Sequence, residues 1–240
     1  MERFYKALNI KRYMSKKFVL SVGGSLIVTK EGIDIKFLKE FRSFILKQVQ
    51  AGNKFYLVVG GGATARTYIQ AALAVRSVDN ADRDWVGIRA TRLNAQLLKV
   101  ILGDIAYPTI ITNPTKPIRS NKKIIIVAGY KPGWSTDHVA VLLAKHNHIS
   151  QVINLSNIDY AYDKDPRKFS DAKKLETVTW PEFRKVVGNR WQPGLNVPFD
   201  PIASREAQKN KMEVVILNGK NLKNLGAYLA AGKFRGTRIN

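Results

Sequence analysis

Phe55-Tyr56-Leu57-Val58-Val59-Gly60-Gly61-Gly62-Ala63-Thr64-Ala65-Arg66 changes character twice within a short stretch. Its five leading apolar residues, aromatic and β-branched among them, predict a strand buried on both faces. Three glycines end that strand, and Ala63–Leu73 reads as a helix. A buried strand, a glycine turn and a helix form half of a βαβ unit, so a parallel sheet covered by helices is expected.

The pattern repeats on either side. Phe18–Val22 is an apolar strand that runs into Gly23-Gly24-Ser25. Ile35–Gln50 places Phe37, Leu38, Phe41, Phe44, Ile45 and Val49 at helical spacing. Beyond the central stretch, Arg76–Arg83 reads as a polar loop, Trp85–Leu102 as an amphipathic helix and Thr109–Thr112 as a short strand. Ile124–Ala128 is a strong strand, followed by the loop Gly129–Ser135 and a helix over Asp137–Ala144. Gln151–Leu155 and Glu213–Leu217 are further strands; Pro181–Val187, Pro201–Asn210 and Asn221–Ala230 are helices. No internal repeat or low-complexity linker interrupts them. The expected fold is α/β: a three-layer αβα sandwich with a mainly parallel central sheet, in one domain over 18–240 with lobes of about 18–120 and 121–240.

Composition sets outer bounds. A chain of 240 residues can bury a core without covalent staples, and 45% apolar with 24% charged residues is a globular balance. The absence of cysteine excludes disulfides, thiolate catalysis and cysteine-bound metals, and suits a reducing compartment. No apolar run approaches the roughly 20 residues of a membrane-spanning helix. Met1–Lys17 is a basic extension without the apolar stretch of a signal peptide, and Met14 is a second candidate start. A cytoplasmic location is expected.

Forty Lys and Arg against 18 Asp and Glu give a net charge of +22. That favours anionic partners. The basic residues occur at most in pairs, such as Lys122-Lys123, and are expected to be dispersed over solvated faces; no zinc-finger or RNA-recognition pattern accompanies them. Charge alone therefore does not select nucleic acid, and no membrane partner is expected.

In open α/β sheets ligands bind at the carboxyl ends of strands. Glycines stand there three times: Gly23-Gly24, Gly60-Gly61-Gly62, and Gly129 with Gly133. Such turns let the backbone approach a phosphate while the following helix offers free N–H groups. One turn is ordinary chain geometry; three suggest several phosphates. The P-loop pattern is absent, and Gly60-x-Gly62-x-x-Ala65 fits the dinucleotide fingerprint without the acidic strand end that should follow. Ser135-Thr136-Asp137 are helix-capping types that can also meet a hydroxyl or phosphate. Asn157-Ile158-Asp159 and Tyr162–Pro166 lie just beyond a strand and read either as turns or as a ligand edge. His138, His146 and His148 are expected at surfaces or helix ends, and Trp134, Trp180 and Trp191 as packing residues.

Taken in order, these pieces resemble the amino-acid-kinase superfamily, and within it the uridylate kinases of the archaeal type. The segments that carry the resemblance are Gly23-Gly24-Ser25, Val58–Arg66, Asp84–Ile88 with Thr91–Ala95, Ser135–Ala140, Asn157–Pro166, Asp200–Ala203 and Gly236–Ile239. The resemblance implies transfer of the γ-phosphoryl group of ATP to UMP, assisted by Mg²⁺, with no covalent intermediate. It implies that Gly23, Gly24, Ser25 and Asp137 serve the transferring phosphate. Gly60, Gly61, Gly62, Arg66, Asp84 and Thr136 would hold UMP, and Asn157, Asp159, Tyr162 and Asp165 would hold ATP. A homo-oligomer, commonly a hexamer, is implied as well.

Two positions depart from the pattern. Ser21 stands where many members carry a first-strand lysine, leaving Lys30, Lys131 and Lys164 as substitute cations. Tyr160 stands where glycine is usual, and a left-handed backbone there would cost on the order of 1–2 kcal/mol. Two other readings stay open: a small-molecule kinase for another acceptor, and a non-catalytic nucleotide- or oxyanion-binding protein on the same fold.

Overall fold

The computed structural model describes residues 16–190 and 197–240. In chain order the elements are β1 (Lys17–Val22), α1 (Gly24–Ile27), β2 (Val28–Thr29), β3 (Gly32–Ile33), α2 (Ile35–Gln50), β4 (Lys54–Val59), α3 (Gly62–Val75) and α4 (Asn80–Leu102). There follow β5 (Ile124–Val127), α5 (Thr136–His146), β6 (Gln151–Ser156), β7 (Ala161–Tyr162), β8 (Lys174–Leu175) and β9 (Thr177–Val178). The last are α6 (Trp180–Val187), α7 (Pro201–Lys209), β10 (Glu213–Asn218), α8 (Leu222–Leu229) and β11 (Thr237–Ile239).

The main sheet has the order β5-β4-β1-β6-β10-β11-β9 among the described residues. It is parallel except where β11 meets β10. Alternate residues of each strand face opposite layers. Phe18, Leu20 and Val22 join Phe41 and Ile45 of α2, Leu98 of α4 and Leu225 of α8 on one side. Val19, Tyr56 and Val58 join Val139 of α5, Phe183 of α6 and Ala203 of α7 on the other. Strands buried on both faces explain the unbroken apolar runs, and the αβα sandwich is present as expected.

Two sequence-based expectations need correction. Thr109–Thr112 is not a strand: within it Ile111 forms an isolated bridge with Val127, and just upstream Ala106 forms another with Ile124. Pro108, which has no N–H to give, sits between those anchors. The polar stretch Arg76–Arg83 is loop only at its start, because Asp79 accepts from Asp82 N at 2.7 Å and caps α4 from Asn80 onward. His138 lies at a helix end but is buried, tilted against the Trp134 ring at 4.6 Å. Trp180 packs in the core as expected; Trp191 and most of the basic extension lie outside the described residues. No described helix is long and apolar enough to cross a membrane.

Candidate active site

All three glycine turns fall at the carboxyl ends of neighbouring strands, β1, β4 and β5. Two of them touch. A Cβ on Gly24 would sit 2.1 Å from Gly62 N, and one on Gly62 would sit 2.3 Å from Gly24 O. Gly62 also has φ of +62°, a conformation that favours glycine. These glycines are required first by each other, since only bare backbone lets the turns lie in contact. That contact brings the N–H groups after β1 and those after β4 onto one surface. Gly23 N donates to Leu155 O at 2.9 Å, which ties the same turn to β6 and to Asn157 just beyond it.

Helix α4 locks the arrangement from behind. Asn94 Nδ2 donates to Gly60 O at 2.9 Å and to Gly61 O at 3.0 Å. Thr91 Oγ1 accepts from Gly129 N at 2.8 Å, and Arg92 reaches Gly129 O and Tyr130 O at 3.4 Å. Thr91, Arg92 and Asn94 are thus positioning residues that sequence reasoning did not assign to the site. Their only signal was membership of a matching segment, since contacts from a helix to strand ends tens of residues away leave no local pattern.

Asp137 lies in the first turn of α5, whose N-cap is Ser135, accepting from His138 N at 3.1 Å. Its carboxyl receives Ser21 Oγ at 3.0 Å and Asp200 N at 3.3 Å. Burial, reinforced by the neighbouring Asp200 charge, pushes the Asp137 carboxyl up to about 7, while the Ser21 and Asp200 hydrogen bonds pull the other way. Asp200 is buried, and its Oδ1 accepts from Ala203 N at 2.6 Å. Burial raises Asp200 as well. Two carboxyls with so little solvent cannot both ionise freely. Asp200, absent from the expected site residues, stands directly beside Asp137.

Among the remaining candidates, Thr136 is the first residue of α5, and Ser25 sits half-exposed in α1. Arg66 is exposed in the first turns of α3 and has no ion pair or hydrogen bond among the described residues. Asp84 of α4 accepts from Gly133 N at 2.7 Å, pinning the loop after β5, and burial raises its pKa. Asn157, Asp159 and Tyr162 line the segment after β6, with Asn157 and Asp159 exposed. Asp165 is different: Arg167 holds it through Nε at 3.0 Å and Nη2 at 2.9 Å, and those bonds lower its pKa to about 2. Any ribose hydroxyl there must compete with Arg167.

The departures also resolve into geometry. Tyr160 is not among the non-glycine residues with positive φ, so the expected strain at that turn does not exist; its ring instead lies 5.1 Å under Lys174. Of the substitute cations, Lys164 is engaged by Asp171 at 2.6 Å, Lys131 lies 4.7 Å over the Trp134 ring, and Lys30 is exposed beside the β2–β3 hairpin. No group of three or more His, Asp or Glu side chains forms a metal centre among the described residues.

Two glycine turns in backbone contact at the carboxyl edge of an αβα sandwich, with Arg66 on the helix that follows one of them and the Asp137–Asp200 pair nearby, define a class. The profile of the Amino acid kinase family matches residues 16–218, and the chain belongs to that family. Within it, the chain is similar to the uridylate kinase of Methanospirillum hungatei, 37% identical over 92% of this chain and 93% of that one. It is 34% identical to the uridylate kinase of Thermococcus kodakarensis over 93% of this chain and 99% of that one. The crystal structure of uridylate kinase from Archaeoglobus fulgidus superposes with a TM-score of 0.78 at 29% identity, covering 94% of this chain and all of that one.

Proposed function

We propose that this chain transfers the γ-phosphoryl group of ATP to UMP, giving UDP and ADP. The observation that carries this reading is the backbone contact between Gly24 and Gly62. It sets two phosphate-binding turns side by side, as a donor and an acceptor phosphate require for in-line transfer. The similarity to uridylate kinases over nearly the full length of both chains supports UMP as the acceptor.

In this reading Gly23, Gly24 and Ser25 receive the transferring phosphate, and Gly60–Gly62 with Arg66 hold the UMP phosphate. Arg66 offers a planar fork suited to phosphate oxygens. Asp84 and Thr136 complete the acceptor pocket; Asn157, Asp159 and Tyr162, with Asp165 once released from Arg167, hold ATP. Residues 18–120 then form the acceptor lobe and 121–240 the nucleotide lobe. Magnesium enters as part of the Mg²⁺–ATP substrate, which suits a site with two carboxyls rather than a full ligand set. The chemistry asks for alignment and charge neutralisation more than for a base. Asp137, half-protonated near neutral pH, spares the phosphates a full negative neighbour while Ser21 fixes its orientation. The reading also places the protein in the cytoplasm, in pyrimidine nucleotide synthesis and as a homo-oligomer, with hexamers the expected form.

A coupled assay for ADP, with Mg²⁺–ATP and a panel of UMP, CMP, dTMP, AMP, glutamate, carbamate and isopentenyl phosphate, tests it. Turnover with UMP above all others is expected. Preference for a different acceptor, or none with any while ATP still binds, overturns it.

A further inference from the structure

The basic residues are not evenly spread. β1, β4 and β5 are neighbours; β1 and β4 begin with Lys17 and Lys54, and Lys122-Lys123 come just before β5, all at the edge of the sheet opposite the glycine turns. Lys17 is the register partner of Lys54. Lys54 N donates to Lys16 O at 2.9 Å, and Phe55 N to Lys123 O at 2.8 Å, so Lys16-Lys17, Lys54 and Lys122-Lys123 stand on adjacent strands. Two of the ammonium groups are held by carbonyls: Lys54 Nζ reaches Ser120 O at 2.6 Å, and Lys122 Nζ reaches Asp104 O. Among the described residues no carboxylate forms an ion pair with Lys16, Lys17, Lys54 or Lys122.

The crowding has a measurable cost. Burial lowers the Lys54 pKa, and the charges of Lys17 and Lys123 lower it further. Beside this row lie two open cavities of about 320 and 370 Å³, one lined by Lys99 and Lys122 and the other by Lys116 and Arg119. With strands about 4.8 Å apart, the row spans on the order of 10 Å, and it lies about 20 Å along β1 from the glycine turns. Nothing in phosphoryl transfer at the far edge uses it.

We infer that the amino-terminal edge of β1, β4 and β5 is a docking surface for single-stranded nucleic acid, bound through its phosphodiester backbone. A linear run of evenly spaced anions matches a linear run of cations along a sheet edge. Among the described residues the edge offers no projecting helix to enter a duplex groove, and lysines read charge rather than base identity. Binding is therefore sequence-independent and strongly salt-dependent. This explains a share of the +22 that nucleotide binding leaves unused.

The test is fluorescence anisotropy of a labelled 20-nucleotide oligocytidylate with the full chain, across a KCl series, with saturating UMP present to occupy the acceptor site. The triple variant Lys17→Gln, Lys54→Gln, Lys122→Gln is compared with a charge-matched control, Lys36→Gln, Lys185→Gln, Lys223→Gln. The edge variant should bind at least tenfold more weakly at 100 mM KCl, with the slope of log Kd against log salt reduced by about 2, from roughly 0.7 per contact over three contacts. The control should stay within twofold of the parent. Kinase activity and melting temperature of the same samples report folding, and a Lys17→Gln, Lys122→Gln double variant replaces the triple if Lys54 proves necessary for it. Absence of binding by the parent chain, equal loss in the control, or no loss in a folded edge variant each overturns the proposal. So does edge-dependent binding to vesicles of phosphatidylcholine with one quarter phosphatidylserine in the absence of oligonucleotide binding.

Discussion

Ser21 Oγ donates to Asp137 Oδ1 at 3.0 Å, joining the middle of the sheet to the first turn of α5 across 116 residues of chain. The bond stabilises the ionised carboxylate against burial and the Asp200 charge. Ser21→Ala should therefore raise the Asp137 pKa and, because the protonated acid is the form that tolerates the phosphates, move the alkaline limb of the kcat/KM profile to higher pH by about one unit. An unmoved profile in an active variant would separate Asp137 from the rate-determining ionisation.

Stability should carry the same signature. Folded Asp137 keeps its proton to about pH 7, whereas unfolded it releases it near 3.8. Between those values the folded chain holds the extra proton, so this group's contribution falls as pH rises from about 4 to about 7 and is level above. Asp137→Asn should then be more stable than the parent at pH 8, by up to about 4 kcal/mol, and equal to it at pH 4. Thermal melts at both values decide the matter; an equal difference at each would contradict the assignment.

Gly24→Ala should be among the most damaging single changes in the chain. Its methyl group would meet Gly62 N at 2.1 Å, backbone against backbone, with no side chain able to yield. A loss of about 3 kcal/mol or more is expected, with activity lost too. Gly133→Ala meets open space but keeps φ near +81°, so about 1–2 kcal/mol is expected there. Urea melts of the pair measure the contrast.

Arg66→Ala should raise the KM for UMP at least tenfold while changing the KM for ATP little, with no change in melting temperature. The side chain is exposed and unpaired among the described residues, so its loss removes nothing that holds the fold. Equal effects on both substrates would move it away from the acceptor phosphate.

Tyr160→Gly should bring no gain in turnover. The tyrosine already sits in an ordinary backbone conformation, and glycine would only add flexibility at a cost of about 0.5–1 kcal/mol. A marked rise in kcat would mean that the ring itself obstructs the nucleotide.

What could be read in advance followed from local periodicity. The runs Phe18–Val22 and Phe55–Val59 announce strands, and the spacing in Ile35–Gln50 announces a helix, because each pattern is completed within a few turns of chain. Strands β2, β3, β7, β8, β9 and β11 escaped notice, being two or three residues long and defined only by distant partners. The glycine turns were legible as a site, but their mutual contact was not, since Gly24 and Gly62 are brought together by the β1–β4 register. Asp200 was visible only within a matching segment; its place beside Asp137 depends on how α5 and α7 pack. The Lys16-Lys17, Lys54 and Lys122-Lys123 edge looked dispersed in sequence because its members come from three separate strands.

The order β10-β11-β9 sets a timetable. Among the described residues β9 joins the main sheet only through β11, yet Val178 precedes its register partner Ile239 by 61 positions. On a ribosome adding about 5–20 residues per second, Val178 waits roughly 3–12 seconds for its partner to be made. β10, itself finished only at Asn218, then keeps an open edge until β11 is made, and the hydroxyl of Thr237 that receives Ala161 N arrives with β11. The half of the sheet beyond β6 is therefore the last to be finished, after the glycine turns of β1 and β4 have long been in place.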